Sequence, residues 1–362
     1  MKHGQLRHRE RTASVQIDGD ALRHNLDKVR EYAPDSKVMA VIKANAYGHN
    51  VLIAAEHLDQ ADAFAVAMPA EAVTLRRAGI SRPLVVLQGF SSLTELELCA
   101  THDLQPVVHH QWQAELLHNA TRLSVDVWLK IDTGMHRLGV PLVDVDLIYR
   151  MLKSSAVVGS IRFMSHFANA DDPSHQLNNN QLESLINVTS NYDAERSMAN
   201  SAAIVSLADS HLEWVRPGIM LYGTSPLLER SAADLGLKPV MQFESQLIAL
   251  QQLRKGDAIG YGSTWQCPED MPVGVVAAGY GDGYPRHAPS GTPVWINGHQ
   301  CPTVGRVSMD SVCVDLRGVD ARYGDRVVLW GRELCVDTIA GHAGTISYEI
   351  LCHAGNSAYP GQ

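Results

Sequence analysis

The feature that most constrains the fold is an alternation of short apolar runs and amphipathic stretches between residues 38 and 216. Eight runs have the length and the β-branched content of buried strands. They are Val38–Lys43, Ala63–Val66, Leu84–Gln88, Leu104–His109, Val125–Asp132, Gly159–His166, Glu195–Ala199 and Glu213–Arg216. The stretches between them carry apolar residues at helical spacing, as in Pro69–Ala78, Trp112–Leu123 and Gln176–Thr189.

Strands that alternate with helices pair in parallel through right-handed crossovers, and eight such strands are the number that closes a barrel. We therefore predict an α/β fold with a (β/α)8 TIM-type barrel. A doubly wound open sheet remains the alternative, since a strand count does not prove closure. No Gly-x-Gly-x-x-Gly motif follows the first strand, which disfavours a dinucleotide-binding fold.

The pattern changes near Leu237-Lys-Pro239, where short β-type runs and turn signals replace the helical periodicity. The runs are Met241–Gln251, Val273–Ala278, Pro293–Ile296, Val312–Leu316 and Arg326–Leu329. We predict three regions: an N-terminal tail at 1–12, the barrel at 13–236, and a mostly-β C-terminal domain at 237–362.

Composition excludes several classes of function. The net charge of −9 over 362 residues disfavours nucleic-acid binding, and an anionic cofactor needs its own local positive site. The six cysteines form no Cys-x-x-Cys pair and no metal-ligand spacing, so we predict no metal site. No apolar run approaches the roughly 18 residues of a membrane span, and no apolar region follows the basic N-terminus. We predict a cytoplasmic protein.

Lys43 closes the first predicted strand, after Val38-Met-Ala-Val-Ile. Burial lowers the pKa of an ammonium group, and the free amine is then a Schiff-base former or a proton acceptor. Alternatively, the side chain extends from the strand end into water. The residues alone leave both interpretations open.

Other polar residues also stand at predicted strand ends, where a barrel of this kind carries its active site. Ser201 opens a helix and suits a phosphate, although it could be a plain helix cap. Arg137 suits a substrate carboxylate or a surface ion pair. His166 and Arg216 could each orient another group or satisfy a structural partner.

Several of these segments resemble the bacterial alanine racemases, which depend on pyridoxal 5'-phosphate. The similar segments occur in the order found in that family and span residues 14–351. They read AVIKANAYGH, WLKIDTGMHRLG, MSHFANAD, MANSAAI, WVRPGIMLYG and IGYGSTW. The resemblance implies that Lys43 carries the cofactor and that the fold is a barrel followed by a β domain.

The resemblance also implies roles for other residues. The residues matching the family's cofactor-phosphate ligands are Tyr47, Ser201, Gly218, Ile219 and Tyr348. Arg216 matches the arginine that faces the pyridine nitrogen of the cofactor. Arg137 matches the arginine that touches the phenolic oxygen of the cofactor and the substrate carboxylate. Lys130 matches a lysine that is often carbamylated. Met309 and Tyr284 match positions next to the substrate.

In the family, a tyrosine matching Tyr261 reaches the cofactor of the partner subunit and acts as the second base opposite Lys43. The resemblance therefore implies a homodimer with shared active sites, whose catalytic residues are Lys43, Tyr261, Arg137 and His166. The implied reaction interconverts L-alanine and D-alanine, for peptidoglycan synthesis or in catabolism. Alternatives are a racemase of broader or serine specificity and an amino-acid decarboxylase of the same two-domain plan.

Overall fold

The computed structural model describes residues 12–358, which form two compact units. The barrel unit is Gly19–Lys238; the β unit is Pro239 onwards together with Asp18 and the described residues before it. The barrel region predicted from sequence, 13–236, therefore differs from the barrel unit at both ends. Of the predicted tail, all but Thr12 lies outside the described residues.

Eight parallel strands close the barrel, which confirms the predicted fold class. They are β2 (Lys37–Val41), β3 (Ala63–Val66), β4 (Leu84–Val86), β5 (Leu104–Val108), β6 (Val125–Lys130), β7 (Val158–Met164), β8 (Arg196–Asn200) and β9 (Trp214–Arg216). The last strand returns to the first, with Val38 paired to Val215. This pairing rules out the open-sheet alternative.

The helices of the barrel unit follow the strands, as predicted. They are α1 (Gly19–Tyr32), α2 (Lys43–Tyr47), α3 (Val51–His57), α4 (Pro69–Arg77), α5 (Leu93–Thr101), α6 (Gln111–Asn119), α7 (Val145–Lys153), α8 (Gln176–Thr189) and α9 (Ser201–Ser206). The strands are apolar on both faces because the barrel interior buries one face and the helices the other. All four residues of β3 and all three of β4 are buried.

A network of charged side chains covers the amino ends of the barrel strands. The carboxylate of Glu195 accepts hydrogen bonds from Lys37 Nζ at 2.5 Å, Trp214 Nε1 at 2.9 Å and Arg162 Nε at 3.0 Å. Burial opposes the charge of Glu195, but the hydrogen bonds outweigh it and lower the pKa of this carboxyl to about 2. This end of a barrel serves stability, and the opposite rim is left for chemistry.

The β unit is a seven-stranded antiparallel sheet with an additional pair of short strands. Its strands are β1 (Ser14–Ile17), β10 (Met241–Leu253), β11 (Ala258–Ile259), β12 (Trp265–Gln266), β13 (Met271–Val276), β14 (Pro293–Ile296), β15 (His299–Val304), β16 (Val312–Asp315) and β17 (Arg326–Trp330). The long strand β10 pairs with β1, β13 and β17. In its core, the ring of Trp330 lies 4.5 Å from that of Phe243.

Helical periodicity does not end at the domain boundary, so that expectation was wrong. The β unit also contains α10 (Val336–Ala343) and α11 (Ser347–Ala358). Helix α10 buries Val336, Ile339, Ala340 and Ala343, a helical spacing that packs one apolar face inward. Within residues 12–358, no helix is long and apolar enough to cross a membrane.

Candidate active site

Lys43 begins a rare left-handed segment at the carboxyl end of β2. Ala44, Asn45, Ala46 and Tyr47 have φ values of 52°, 52°, 54° and 53°, and Gly48 follows at 81°. Left-handed geometry costs a non-glycine residue about 1–2 kcal/mol, because Cβ crowds the following carbonyl oxygen. Four such residues in succession represent strain of the kind that proteins retain at functional sites.

Hydrogen bonds and ring stacking hold this segment in place. Gly48 N donates to Ala44 O at 3.1 Å, and Val51 N donates to the Asn45 side chain at 2.7 Å. His49 Nδ1 lies 3.1 Å from Ala46 O and 3.0 Å from Tyr47 O, and the His49 ring stacks on Tyr222. Because His49 is fully buried, its pKa falls to about 4. A neutral imidazole can therefore donate from Nδ1 to these carbonyls.

Arg137 lies in a loop after β6 that one carboxylate shapes. Asp132 Oδ1 accepts from the backbone N–H groups of Gly134, Met135 and His136, at 3.0, 3.1 and 3.0 Å. Burial opposes the charge of this carboxylate, but the hydrogen bonds outweigh it and lower the pKa of Asp132. The folded loop leaves Arg137 exposed, where its guanidinium can bind an anion.

Arg216, at the end of β9, is buried and reaches the ends of neighbouring strands. It donates to Ser197 Oγ at 2.6 Å, to the Met198 carbonyl at 3.3 Å and to the Ser165 carbonyl. It also lies 3.2 Å from His166 Nδ1. Since a guanidinium is only a donor, His166 Nδ1 accepts, and the ring proton of a neutral His166 then resides on Nε2.

Four cationic side chains surround His166. Its pKa is lowered by burial and then by the charges of Arg216, Lys130, Arg137 and Lys43. Burial and the other three cations lower the pKa of Lys130 to about 8, against the opposing charge of Asp132. Burial alone lowers the pKa of Arg216 to about 10. The rim is therefore a strongly positive site in a chain of net charge −9.

A corner of this rim fits the phosphate of an anionic cofactor. Ser201 Oγ accepts from Gly218 N at 2.8 Å and from Met220 N at 3.4 Å, so the ends of β8 and β9 meet there. A Cβ added to Gly218 would lie 2.6 Å from Tyr47 Oη, a close approach that only glycine allows. Ile219, the next residue, is buried. Short polar groups and backbone N–H groups in a positive field are what a phosphate requires.

The remaining predicted residues lie in the β unit. Tyr261 and Met309 line a pocket of about 530 Å³ with Gly260, Ser308, Asp310 and Ser311. Tyr261 stands between Gly260 and Gly262, at φ values of 73° and 75°, and is 68% exposed. Tyr348, in the first turn of α11, is 38% exposed. Both tyrosine side chains are therefore partly accessible in the single chain.

Tyr284 differs from the other two tyrosines because it is only 1% exposed and stacks on Trp330. Its hydroxyl has no hydrogen-bond partner among the described residues, and burial raises its pKa. The resemblance implies that Tyr284 lies next to the substrate, and this role stays a prediction. The structure places its ring in the core of the β unit.

Sequence reasoning missed the polar side chains that connect the rim. Gln181, fully buried on α8, accepts from Ala168 N at 3.0 Å and donates to the His166 carbonyl at 3.1 Å. Thr133 and Ser165 join their hydroxyls at 2.8 Å. These residues carry no local motif, since their partners come from other strands.

Comparisons with known proteins agree with this geometry. The family model for the alanine racemase N-terminal domain matches residues 17–226, and that for the C-terminal domain matches residues 240–359. The chain is 47% identical to an alanine racemase of Vibrio parahaemolyticus, over 94% of this chain and 96% of the relative. It is 51% identical to one from Nitrosococcus oceani, over 93% of this chain and 95% of the relative.

Solved structures agree as well. The biosynthetic alanine racemase from Pseudomonas aeruginosa is similar with a TM-score of 0.92 and 42% identity, covering 95% of this chain and 97% of that one. The alanine racemase of Bartonella henselae with covalently bound pyridoxal phosphate is similar with a TM-score of 0.86 and 30% identity, over 96% and 98% of the two chains.

Proposed function

Because the chain belongs to the alanine racemase family, we propose that it interconverts L-alanine and D-alanine with pyridoxal 5'-phosphate held at the barrel rim. The observation that carries this proposal is the buried Arg216, 3.2 Å from His166 Nδ1, together with the charges of Lys130, Arg137 and Lys43, which also lower the pKa of His166. Such a concentration of positive charge suits an anionic cofactor and an amino-acid carboxylate together.

Two groups are needed to racemise an amino acid, because a proton leaves Cα from one face and another arrives at the opposite face. When bound, the cofactor delocalises the electron pair that the departing proton leaves behind. Lys43 Nζ takes or returns the proton on one face, and the hydroxyl of Tyr261 of the partner subunit serves the other. In the family, the lysine acts on D-alanine and the tyrosine on L-alanine.

The other rim residues bind and orient. Ser201, Gly218, Ile219 and Tyr47 would hold the phosphate, with Tyr348 as a further ligand. Arg216 would face the ring nitrogen; its guanidinium, held by Ser197 and Ser165, donates a hydrogen bond and keeps its proton. Arg137 would bind the substrate carboxylate. In relatives, the backbone N–H at the position of Met309 also binds this carboxylate.

Lys130 is the candidate for carbamylation. Its pKa of about 8 leaves part of the amine neutral near pH 7, and only a neutral amine attacks carbon dioxide. The attack forms a nitrogen–carbon bond and releases a proton, which converts a cation into an anion between Arg137 and Arg216. The carbamate would then orient Arg137. Loss of 44 Da from the peptide of Lys130 on acidification is the expected signature, and its absence would contradict the modification.

Tyr261 supports a homodimer with shared sites. A closed active site excludes water, yet the side chain of Tyr261 is 68% exposed in the single chain. We propose that a second copy covers it. The product D-alanine would serve peptidoglycan synthesis, or the enzyme would work in the catabolic direction.

Covalent trapping tests the cofactor assignment. The protein is saturated with pyridoxal 5'-phosphate, reduced with borohydride and digested, and the modified lysine is located by mass spectrometry. We expect the adduct on Lys43, its loss in Lys43→Ala, and its retention in the control Lys153→Ala, whose lysine is exposed on α7. An adduct of undiminished yield in Lys43→Ala would contradict the assignment.

A further inference from the structure

The loops that follow the barrel strands are joined in pairs by side chains. Gln113 of α6 joins the loop after β4 to the loop after β5. Gln181 of α8 joins the loop after β6 to the loop after β7. Ser201 joins the loops after β8 and β9. The loops after β2 and β3 are joined by Glu71, the third residue of α4.

The two oxygens of Glu71 have separate partners. Oε2 accepts from Ala67 N at 2.7 Å and from Met68 N at 3.0 Å, which caps the start of its own helix. Oε1 accepts from Ala44 N at 2.7 Å. The peptide unit that this second bond anchors is the one between Lys43 and Ala44, where the left-handed segment begins.

Gln113 occupies the same helical position and shows which part of this role needs a carboxylate. Its Oε1 accepts from His109 N at 2.8 Å and His110 N at 3.2 Å, the same cap that Glu71 makes. Its amide Nε2 instead donates to the Phe90 carbonyl at 2.9 Å. A glutamine thus suffices for the cap, but only a carboxylate can also accept the N–H of Ala44.

We propose that Glu71 is a positioning residue for Lys43. By fixing the peptide after Lys43, the carboxylate sets the backbone direction from which the amine reaches Cα of the substrate. It also holds the first of four strained residues, so the left-handed segment starts from a defined point. The kinetic part of this inference rests on the proposed function, while its structural part does not.

Glu71→Gln separates the two contacts. The single amide oxygen is expected to stay with the two N–H groups of Ala67 and Met68, as in Gln113, and the amide group then faces Ala44 N without accepting its proton. The matched control is Gln113→Glu, which alters an equivalent joint by the reverse exchange of amide and carboxylate. Both variants keep a helix-capping oxygen. Gln113→Glu also loses the donor to the Phe90 carbonyl, a disturbance that lies in its own joint and not at Ala44.

The structural test is amide hydrogen exchange of the cofactor-saturated protein, read by mass spectrometry. In Glu71→Gln, exchange in the peptide spanning residues 43–50 should accelerate about tenfold, because a charge-assisted hydrogen bond is lost. Exchange at 67–75 should stay at the wild-type rate. Gln113→Glu should leave residues 43–50 unchanged. Unchanged exchange at 43–50 in Glu71→Gln would overturn the proposal.

The kinetic test compares primary isotope effects of alanine deuterated at Cα. If Lys43 alone is misplaced, proton transfer by Lys43 becomes more rate-limiting. Because the lysine acts on D-alanine and the tyrosine on L-alanine, the isotope effect should rise with D-alanine and fall with L-alanine. A general loss of structure would change the two isotope effects in the same direction. That result would overturn the positioning role of Glu71. If wild-type protein produces no D-alanine, the proposed function fails, and the exchange result still decides whether Glu71 holds the Lys43 segment.

Discussion

Ala44 offers a direct test of the left-handed segment. The residue has a φ of 52°, and its side chain is exposed. Replacing it with glycine removes one methyl group that contributes little packing. The backbone hydrogen bonds of Ala44 to Glu71 and Gly48 do not involve that methyl and remain.

The expected change follows from two opposing contributions. Relief of left-handed strain stabilises the folded state by about 1–2 kcal/mol, since glycine has no Cβ. The greater freedom of glycine in the unfolded chain costs about 0.5–1 kcal/mol. We therefore expect Ala44→Gly to raise the free energy of unfolding by up to about 1.5 kcal/mol, whereas a glycine substitution in a right-handed helix lowers it.

The assay is urea denaturation of the cofactor-free protein, at one fixed protein concentration so that ligand and subunit binding do not differ between variants. Ala70→Gly is the control, because Ala70 is exposed on the right-handed helix α4. This control should lower the free energy of unfolding by about 0.5–1 kcal/mol. If both variants are destabilised by the same amount, the left-handed assignment and its strain argument are refuted.

Three further predictions address catalysis, assembly and pH. Tyr261→Phe should retain the trapped cofactor but lose about 10²–10⁴-fold in turnover. The control Tyr323→Phe, at an exposed tyrosine, should keep normal turnover. Near-normal racemisation by Tyr261→Phe would exclude Tyr261 as a base. Sedimentation should show that the active species is a dimer, and full specific activity in a monomer would refute the shared site. Glu195→Gln should lower the free energy of unfolding at pH 7 by about 1–2 kcal/mol, because a carboxyl with a depressed pKa stabilises the fold fully above its unfolded pKa and solvent screens part of the effect. The deficit relative to wild type should shrink as the pH falls from about 4.5 to about 2, and a constant deficit would contradict the network.

The barrel was predictable from sequence because its strands are short, apolar and β-branched, which are local properties. Four strands of the β unit were missed: β11 and β12, which are only two residues long, and the longer strands β15 and β1. Strand β15, His299–Val304, mixes polar residues with Pro302 and carries no clear alternation. Strand β1 is stabilised by its pairing with Met241–Glu244, more than two hundred residues away along the chain. No local pattern reports such a partner.

The candidate site shows the same limit. Lys43, His166 and Arg216 could be named from the sequence pattern because each stands at the end of a predicted strand. The roles of Tyr47 and Lys130 follow only from the family resemblance. The left-handed segment could not be predicted from sequence, since alanine, asparagine and tyrosine give no signal for positive φ in succession. The sequence predicts a helix at Pro69–Ala78, but it does not show what the Glu71 side chain contacts. Its contact with Ala44 depends on the neighbouring strand.

The measurement that tests the central claim most directly is the formation of D-alanine. Purified protein saturated with pyridoxal 5'-phosphate is mixed with L-alanine, and both enantiomers are followed by chiral chromatography, with serine as a second substrate. The account predicts equal final amounts of L- and D-alanine, because the equilibrium constant between enantiomers is one. No D-alanine from protein whose cofactor is trapped on Lys43 would contradict it, and release of carbon dioxide instead would identify a decarboxylase.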